Sequence, residues 1–365
     1  MAIRLNNKNV KLKVLHILVD GKYSGAQHVA LSIIENTRDC CDSLYVSKKG
    51  KVKEALDENN INYLFLNKIS VQSIRRAVCS YRPDIIHAHD FTASLIGLIA
   101  AGHIPVISHI HQNPPWLKHI NYKSFMFMLI SIGAKKILTV SDSIVEECVF
   151  KNFMIKKNKV IGNPINISSV IEKSLEHRVV TEESCAYDLA FVGRLETEKN
   201  PLAFVKIVDD IKVLVKNVTA VMIGEGTEYL KCENLIKELD LKDNIKLLGY
   251  LSNPYSVLRT CKVVCIPSKW EGFGLTAVEG LALGKPVVCS DVGGLKKIIN
   301  DKVGKKCNTK EEYREEVSRL LLDQEYYNEK SNNAKSYAKT FDNIKEYRDN
   351  IVEIYTNCLQ KKEII

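Results

Sequence analysis

Residues Pro267–Pro286 read PSKWEGFGLTAVEGLALGKP. An apolar, strand-like run ends at Ile266, a turn with Gly272 and Gly274 follows, and a helical pattern begins at about Leu275. Such a turn feeds a helix amino end, where free N–H groups and the helix dipole favour a phosphate. Glycine there lets a ligand approach the backbone closely. Glu271 precedes the turn and Glu279 lies eight positions further on. Two carboxylates can accept hydrogen bonds from sugar hydroxyls, but they repel a diphosphate and must flank it. Taken singly, Glu271 reads as a solvated loop acid and Glu279 as a helix-surface acid; the full string argues for a site.

A second segment, FVGRLETEKNP, spans Phe191–Pro201. Its strand delivers Gly193, Arg194 and, after a short loop, Lys199. Arginine offers phosphate a planar fork of donors and lysine a point charge. Together they could neutralise a leaving diphosphate, although either cation alone would commonly be solvated. A third segment, DGKYSGA (Asp20–Ala26), sets Gly25 at a helix start, but lacks the G-x-G-x-x-G of a dinucleotide site. Histidines form a fourth set: His87 and His89 in IIHAHD, His109 and His111 in SHIHQ. Spacing of two puts each pair on one face of a strand. A metal ranks below hydrogen bonding to substrate, since only Asp90 offers an acid at suitable spacing. His111, last on its strand, is the one that enters the site; His87 and His109 read as satisfied histidines near the core.

The elements that must position these residues alternate strand and helix throughout. Strands are expected at Leu12–Val19, Ser43–Ser47, Tyr63–Leu66, Ile85–Ala88, Val106–Ile110 and Ile137–Val140, with a helix at Ala26–Asn36. The second half repeats the scheme with strands at Leu189–Val192, Ala220–Ile223, Ile245–Leu248, Val263–Ile266 and Val287–Cys289. Helices fit Leu202–Lys216, Tyr229–Leu239, Tyr255–Thr260 and Leu275–Leu283. Continuous apolar strands alternating with helices imply parallel sheets with right-handed crossovers. The polar stretch Ser168–Ser184 reads as a linker, and the tail Lys310–Lys361 as helices ending in Ile344–Leu359. The expected fold is α/β: two doubly wound domains with ligands at the carboxyl ends of the strands.

Composition agrees with 365 residues in two domains at ~150 residues each. Hydrophobic residues make up 45% and charged residues 26%, which excludes a disordered or fibrous chain. The net charge of +9 is uneven: residues 1–170 hold 22 basic and 12 acidic side chains, residues 171–365 hold 30 and 31. A basic half can face anionic lipid or a polyanion. No basic-aromatic reading motif appears, so nucleic acid is not expected. The 11 cysteines are scattered without a C-x-x-C pair, which fits thiols in a reducing cytoplasm. The first residues, MAIRLNNKNVKLK, lack the apolar run of a secretory signal, and no run reaches the ~20 residues of a span. FMFMLISI (Phe125–Ile132), between Lys123 and Lys135–Lys136, reads as a buried core helix; its flanking lysines keep an interfacial membrane contact open.

EGFGLTAVE followed by GLALGKPVV, with GRLETEKNP, resembles the hallmark of family 4 retaining glycosyltransferases. SGAQHV, PDIIHAHD, PVISHIH, ILTVSDSI and VIGNPIN fall in the family's order, so the resemblance covers about residues 12–300. It implies the GT-B fold: two Rossmann-like domains facing across a cleft, at 1–170 for the acceptor and 185–342 for the nucleotide sugar, with a helix at 343–365 crossing back onto the first. It also implies roles. Arg194 and Lys199 would hold the donor diphosphate, Glu271 the donor sugar, Glu279 the ribose, and His111 would sit by the transferred sugar. Gly25 would approach the phosphate, and the loop at Tyr250 and Leu251 the base. Gly193, Gly272, Phe273, Gly274, Leu275 and Thr276 would complete the donor site, with no metal and no cofactor beyond the nucleotide-sugar donor. Ser24 and Gln27 depart from the family's loop, where a second glycine and an acid are common. The implied reaction moves a sugar with retention to an acceptor hydroxyl, on a saccharide or lipid-linked saccharide of a surface polysaccharide or glycoconjugate. The setting would be cytoplasmic, on the inner face of an anionic membrane. A nucleotide-sugar epimerase and a non-catalytic binding module are the alternatives.

Overall fold

Strands of three to seven mostly apolar residues recur in both halves, and each half gathers them into one parallel sheet. The computed structural model describes residues 11–176 and 187–360. The chain divides into two compact units, 1–164 with 343–365, and 165–342.

In the first unit the strands are β1 (Leu12–Ile17), β2 (Cys41–Ser47), β3 (Tyr63–Phe65), β4 (Ile85–His89), β5 (Val106–Ile110), β6 (Lys136–Thr139) and β7 (Asn158–Val160). Their order is β3-β2-β1-β4-β5-β6-β7, all parallel. Every residue of β4 and β5 is buried, as a central strand covered on both faces requires. The order reverses between β1 and β4, where doubly wound sheets open a crevice at the strand carboxyl ends. The helix Ile344–Leu359 returns to this unit. Its Tyr347, Ile351, Ile354 and Tyr355 recur at helical spacing and bury against Leu12, Val14, Val29, Ile33, Ile85, Ile107 and Leu138. Arg348 caps the contact, donating through Nε to the Asn36 carbonyl at 2.9 Å and pairing with Asp39.

The expectation of a buried core helix at FMFMLISI is corrected. The helix Tyr122–Gly133 buries only Ser124, Phe127, Ile130 and Ser131. Tyr122, Phe125, Leu129 and Ile132 line its opposite face and are exposed. Apolar residues on both faces leave the sequence without a polar face from which to tell inside from outside.

The second unit contains β8 (Leu189–Val192), β9 (Ala220–Ile223), β10 (Ile245–Gly249), β11 (Val263–Ile266), β12 (Val287–Ser290) and β13 (Gly304–Cys307). The order β10-β9-β8-β11-β12-β13 is again parallel and reverses between β8 and β11. Successive residues of β8 alternate between the two cores: Ala190 in one, Leu189 and Phe191 in the other.

The linker at Ser168–Ser184 is corrected in its first part. Residues Ile167–Ser174 form a helix, capped by Asn166 Oδ1 accepting from the Ser169 N–H at 2.9 Å. Ile167 and Val170 bury in a core that includes Val257, Leu258 and Cys261, so this helix belongs to the second unit. Residues 177–184 of that stretch lie outside the described residues. Two edge strands, β7 (NKV) and β13 (GKKC), escaped the sequence reading, since edge strands tolerate lysine and need no apolar run. Other bounds differ by one to four residues: the first strand ends at Ile17, and the helix expected at Leu202–Lys216 runs Pro201–Lys212.

Candidate active site

Because β8 and β11 are neighbours, the loops leaving their carboxyl ends emerge side by side. Four hydrogen bonds lace them together. The Lys269 N–H donates to the Glu198 carbonyl at 2.8 Å, and Asn200 Nδ2 to the Pro267 carbonyl at 3.1 Å. Thr276 Oγ1, on the first turn of the helix Leu275–Ala282, donates to the Val192 carbonyl at 3.4 Å. Lys199 Nζ closes the set by donating to Glu271 Oε2. Ser268 Oγ also donates to that oxygen, at 3.4 Å. The amino end of that helix thus lies beside Gly193 and the end of β8.

The two cations are each matched by a carboxylate. Arg194 pairs with Glu198 and Lys199 with Glu271. The Lys199 and Glu271 side chains keep 23% and 13% of their surface exposed, so the pair is screened only in part. An arriving dianion can take over either cation by displacing its carboxylate.

Gly274 heads the helix with φ +105°, where a side chain is strained, and a Cβ there would come within 2.7 Å of Leu295 Cδ2. Gly272 is buried, and Phe273 and Leu275 pack against the core beneath the loop. Glu279, one turn into the helix, accepts from the Tyr255 hydroxyl at 2.8 Å. Burial pushes its carboxyl above the usual glutamate range, against the opposing pull of Tyr255, Lys173 and Lys199. Glu271 and Glu279 therefore have separate partners. Tyr250 and Leu251 follow β10, and Leu251 packs against the same core as Phe273.

Two supports went unread in the sequence. The Gly193–Leu195 loop rests on Gly224–Gly226: a Cβ on Gly224 would lie 1.9 Å from the Gly193 carbonyl oxygen, and one on Gly226 2.2 Å from that of Leu195. Gly293 and Gly294 likewise seat the other loop, the Gly294 N–H donating to the Glu271 carbonyl at 3.3 Å. The signal was present: each glycine pair follows the end of a strand, IGEG after β9 and SDVGG after β12.

The remaining predicted residues lie in the first unit. Gly25 opens the helix Gly25–Asn36, one residue before the expected start, and Ser24 is its N-cap. Gln27, the departure noted above, is buried; its Nε2 donates to Asp20 Oδ1 at 3.1 Å. His111 follows β5, 8% exposed, and its backbone N–H donates to Asp90 Oδ1 at 2.9 Å. His87 is fully buried with both nitrogens bonded, as expected; His109 is fully buried with Nδ1 bonded to His87 but Nε2 without a partner among the described residues, so it is not the satisfied histidine expected. His16 on β1 joins them, a member the sequence did not single out. Nitrogens of His16, His87 and His89, and of His89, His109 and His111, lie within 4.8 Å of one another, close enough to share a metal. In both groups ring nitrogens already bond to one another, and a metal would have to displace those bonds.

Two family models match this chain: Glycosyl transferases group 1 over residues 173–339, and Glycosyltransferase Family 4 over residues 50–169. An uncharacterized glycosyltransferase of Methanocaldococcus jannaschii is 30% identical over 267 residues, 71% of each chain. A Campylobacter jejuni enzyme, the N-acetylgalactosamine-N,N'-diacetylbacillosaminyl-diphospho-undecaprenol 4-alpha-N-acetylgalactosaminyltransferase, is 30% identical over 231 residues, 62% of this chain and 61% of that one. Among solved structures, Anabaena HepE in complex with UDP and glucose superposes with a TM-score of 0.80 at 21% identity, over 95% of this chain and 100% of that one.

Proposed function

The chain belongs to the group 1, family 4 glycosyltransferases and has their GT-B fold, and from that premise we propose how its residues serve transfer of a sugar from a nucleotide-diphosphate donor. Arg194 and Lys199 hold the donor diphosphate and stabilise the charge that builds on it as the glycosidic bond breaks, the largest electrostatic need of the step. The helix amino end at Gly274–Thr276 adds its dipole to the same anion. Glu271, released from Lys199, accepts hydrogen bonds from sugar hydroxyls. Glu279, beside Tyr255, accepts from the ribose. Gly193, Gly272, Phe273 and Leu275 shape the backbone around the donor, Tyr250 and Leu251 meet the base, and Gly25 approaches the phosphate. His111 hydrogen-bonds the transferred sugar. The acceptor hydroxyl attacks on the face the diphosphate leaves, with retention, giving its proton to a phosphate oxygen. The protein's own cations do the work a metal would do, so no metal or further cofactor enters this scheme. The observation that carries the reading is the pairing of both cations with carboxylates where the loops after β8 and β11 meet.

The acceptor is proposed to be a lipid-linked saccharide, reached at an anionic membrane surface on its cytoplasmic face. Among the described residues no helix is long and apolar enough to cross a membrane. Support comes from the exposed stripe Tyr122, Phe125, Leu129 and Ile132, joined by Ile120, Phe153 and Ile155. Lys123, Lys135, Lys151 and Lys156 lie on the same stretch of chain, with Lys135, Lys151 and Lys156 exposed. Apolar side chains among lysines suit an interfacial seat on anionic lipid. The relation of the Campylobacter relative to a diphospho-undecaprenol acceptor points the same way.

Incubation with a panel of nucleotide sugars and a lipid-diphosphate saccharide tests the reading. Transfer gives free nucleoside diphosphate and an extended acceptor; an epimerase would give isomerised sugar, and a binding module unchanged ligand.

A further inference from the structure

The imidazoles of the first unit form two hydrogen-bonded chains. In one, His16 Nδ1 lies 3.2 Å from His89 Nε2, and His89 Nδ1 lies 2.9 Å from His111 Nε2. In the other, the Tyr355 hydroxyl lies 2.7 Å from His87 Nδ1, and His87 Nε2 lies 3.1 Å from His109 Nδ1. The chains pack against each other, with His87 and His89 stacked at 4.5 Å and 13°. Burial holds all five rings neutral, with His16 pushed down to about 3. Asp90 is the one carboxylate acting on His111, and it opposes that burial.

A neutral imidazole has one N–H and one lone pair. Each ring's choice therefore fixes the next, and the first chain has two arrangements. Protons can point inward, leaving an N–H at His16 Nε2, or outward, leaving it at His111 Nδ1. Both atoms are buried and have no hydrogen-bond partner among the described residues. His16 is fully enclosed within β1, whereas His111 lies past the end of β5, at the sheet edge where ligands bind. An unpaired N–H is worse to bury than an unfilled lone pair. The arrangement that leaves only a lone pair inside, and puts the N–H where a ligand can accept it, is the outward one.

We propose that the His16–His89–His111 chain runs outward and presents His111 as an Nδ1–H donor to a sugar oxygen, with His89 and His16 as positioning residues. The proposal rests on the reading that His111 contacts the transferred sugar. In this state His111 Nε2 is occupied by the His89 proton. The ring serves as a hydrogen-bond donor, and the site gains no general base from it. The Tyr355 hydroxyl, 2.7 Å from His87 Nδ1, fixes the ring that stacks on His89.

The test is long-range 15N–1H correlation on the full chain labelled at histidine, with His111 identified by loss of its signals in His111→Gln. At pH 7, His111 and His89 should each show a protonated Nδ1 and a bare Nε2, the rarer tautomer of free imidazole. His89→Leu should return His111 to the Nε2–H form or a mixture. His89→Asn, which keeps an N–H at the δ position, should restore the Nδ1–H signature. With donor and acceptor, His89→Leu should lower kcat about five- to tenfold with a smaller change in KM, the scale of one hydrogen bond, and His89→Asn should recover most of it. An Nε2–H pattern at His111 in the unmutated protein, or stoichiometric bound transition metal, would overturn the chain's direction. If the His89→Leu protein does not fold, His16→Leu and the unmutated spectrum still decide the matter. Tautomers as described, with kcat unmoved by His89→Leu, would overturn the contact with sugar while leaving the proton arrangement intact.

Discussion

The two units share one topology and treat polar groups in opposite ways. In both sheets the strand order reverses beside the first strand, at β1/β4 and at β8/β11. Around β1/β4 the polar side chains sit inside the strands: His16 is level with His87 across that pair, and His89 with His109 on β5. Around β8/β11 the strands are apolar, and the polar side chains, Arg194, Lys199 and Glu271, stand just past their ends. The difference follows from charge. A neutral ring can be buried with one nitrogen bonded to a neighbour and the other left without a partner, as at His16, His109 and His111, whereas an ion in the same place would need its own counter-ion and still lose its hydration. Ions are therefore kept at the rim, partly exposed and paired, where a ligand can exchange with the partner.

The sharpest break of that comparison is Lys199→Ala. It removes a rim charge and leaves both cores intact, so kcat should fall by roughly 10²–10³-fold, the usual worth of one preorganised electrostatic contact, with the thermal unfolding midpoint nearly unchanged. Steady-state kinetics beside a thermal scan measures both. A rate near that of the unmutated enzyme would remove Lys199 from the diphosphate site.

A second contrast concerns the surface. Exposed apolar side chains gather on the first unit at residues 120–155, and those of the second unit, such as Val213, Leu230 and Leu322, are dispersed along the chain. Phe125→Glu with Leu129→Glu should weaken binding to vesicles containing anionic lipid by at least about 100-fold, given ~1.5–3 kcal/mol per large apolar side chain buried. Stability should move by no more than about 0.5 kcal/mol per exposed site. Unaltered sedimentation with vesicles would dismiss the lipid seat.

Acid should separate the units. Five histidines of the first unit are held neutral by burial, so their folded pKa lies below the unfolded value. Below about pH 6.5 the unfolded chain binds protons that the fold refuses, and stability drops by about 1.4 kcal/mol per pH unit for each histidine involved. For His16 the loss continues down to about pH 3. Glu279 has the opposite sign: its carboxyl is raised, so lowering the pH through its folded pKa relieves a burial penalty and adds stability, until the unfolded value is reached. The two tryptophans report on the units separately, Trp116 in the first and Trp270 in the second. Urea unfolding at pH 7.5 and 5.5, in Trp270→Phe and Trp116→Phe proteins, should show the first unit losing more.

The smallest effect expected is that of Glu279→Gln. Removing a buried charge should leave stability equal or slightly higher at neutral pH, while the loss of a charged acceptor should raise the donor KM by about tenfold. Stability and KM moving in the same harmful direction would mean that Glu279 is a packing residue.

What the sequence reveals follows the same division. The meeting of the two loops of the second unit was legible because the residue types that suit an anion stand at short offsets: Arg194, Lys199, Glu271 and the turn at Gly274 all come within two short strings, and the structure brings them together. Their supports at Gly224–Gly226 and Gly293–Gly294 were not, since a glycine that lets two loops pack looks in sequence like any turn. The histidine chains were legible only in pairs. His16 and Tyr355 lie far from IIHAHD in sequence, and only strand register and the returning helix bring them together. The exposed stripe on Tyr122–Gly133 was misread because an apolar face left exposed and an apolar face toward the core use the same residues.

The central claim is that the second unit grips a diphosphate with Arg194, Lys199 and a helix amino end. Calorimetric titration of the full chain with UDP and GDP, each beside its bare nucleoside, tests it most directly. One diphosphate should bind at least about 100-fold more tightly than its nucleoside, and Arg194→Ala or Lys199→Ala should each remove about tenfold of that margin, the scale of a charge-assisted contact. Equal affinity for diphosphate and nucleoside, or margins untouched by both substitutions, would contradict it.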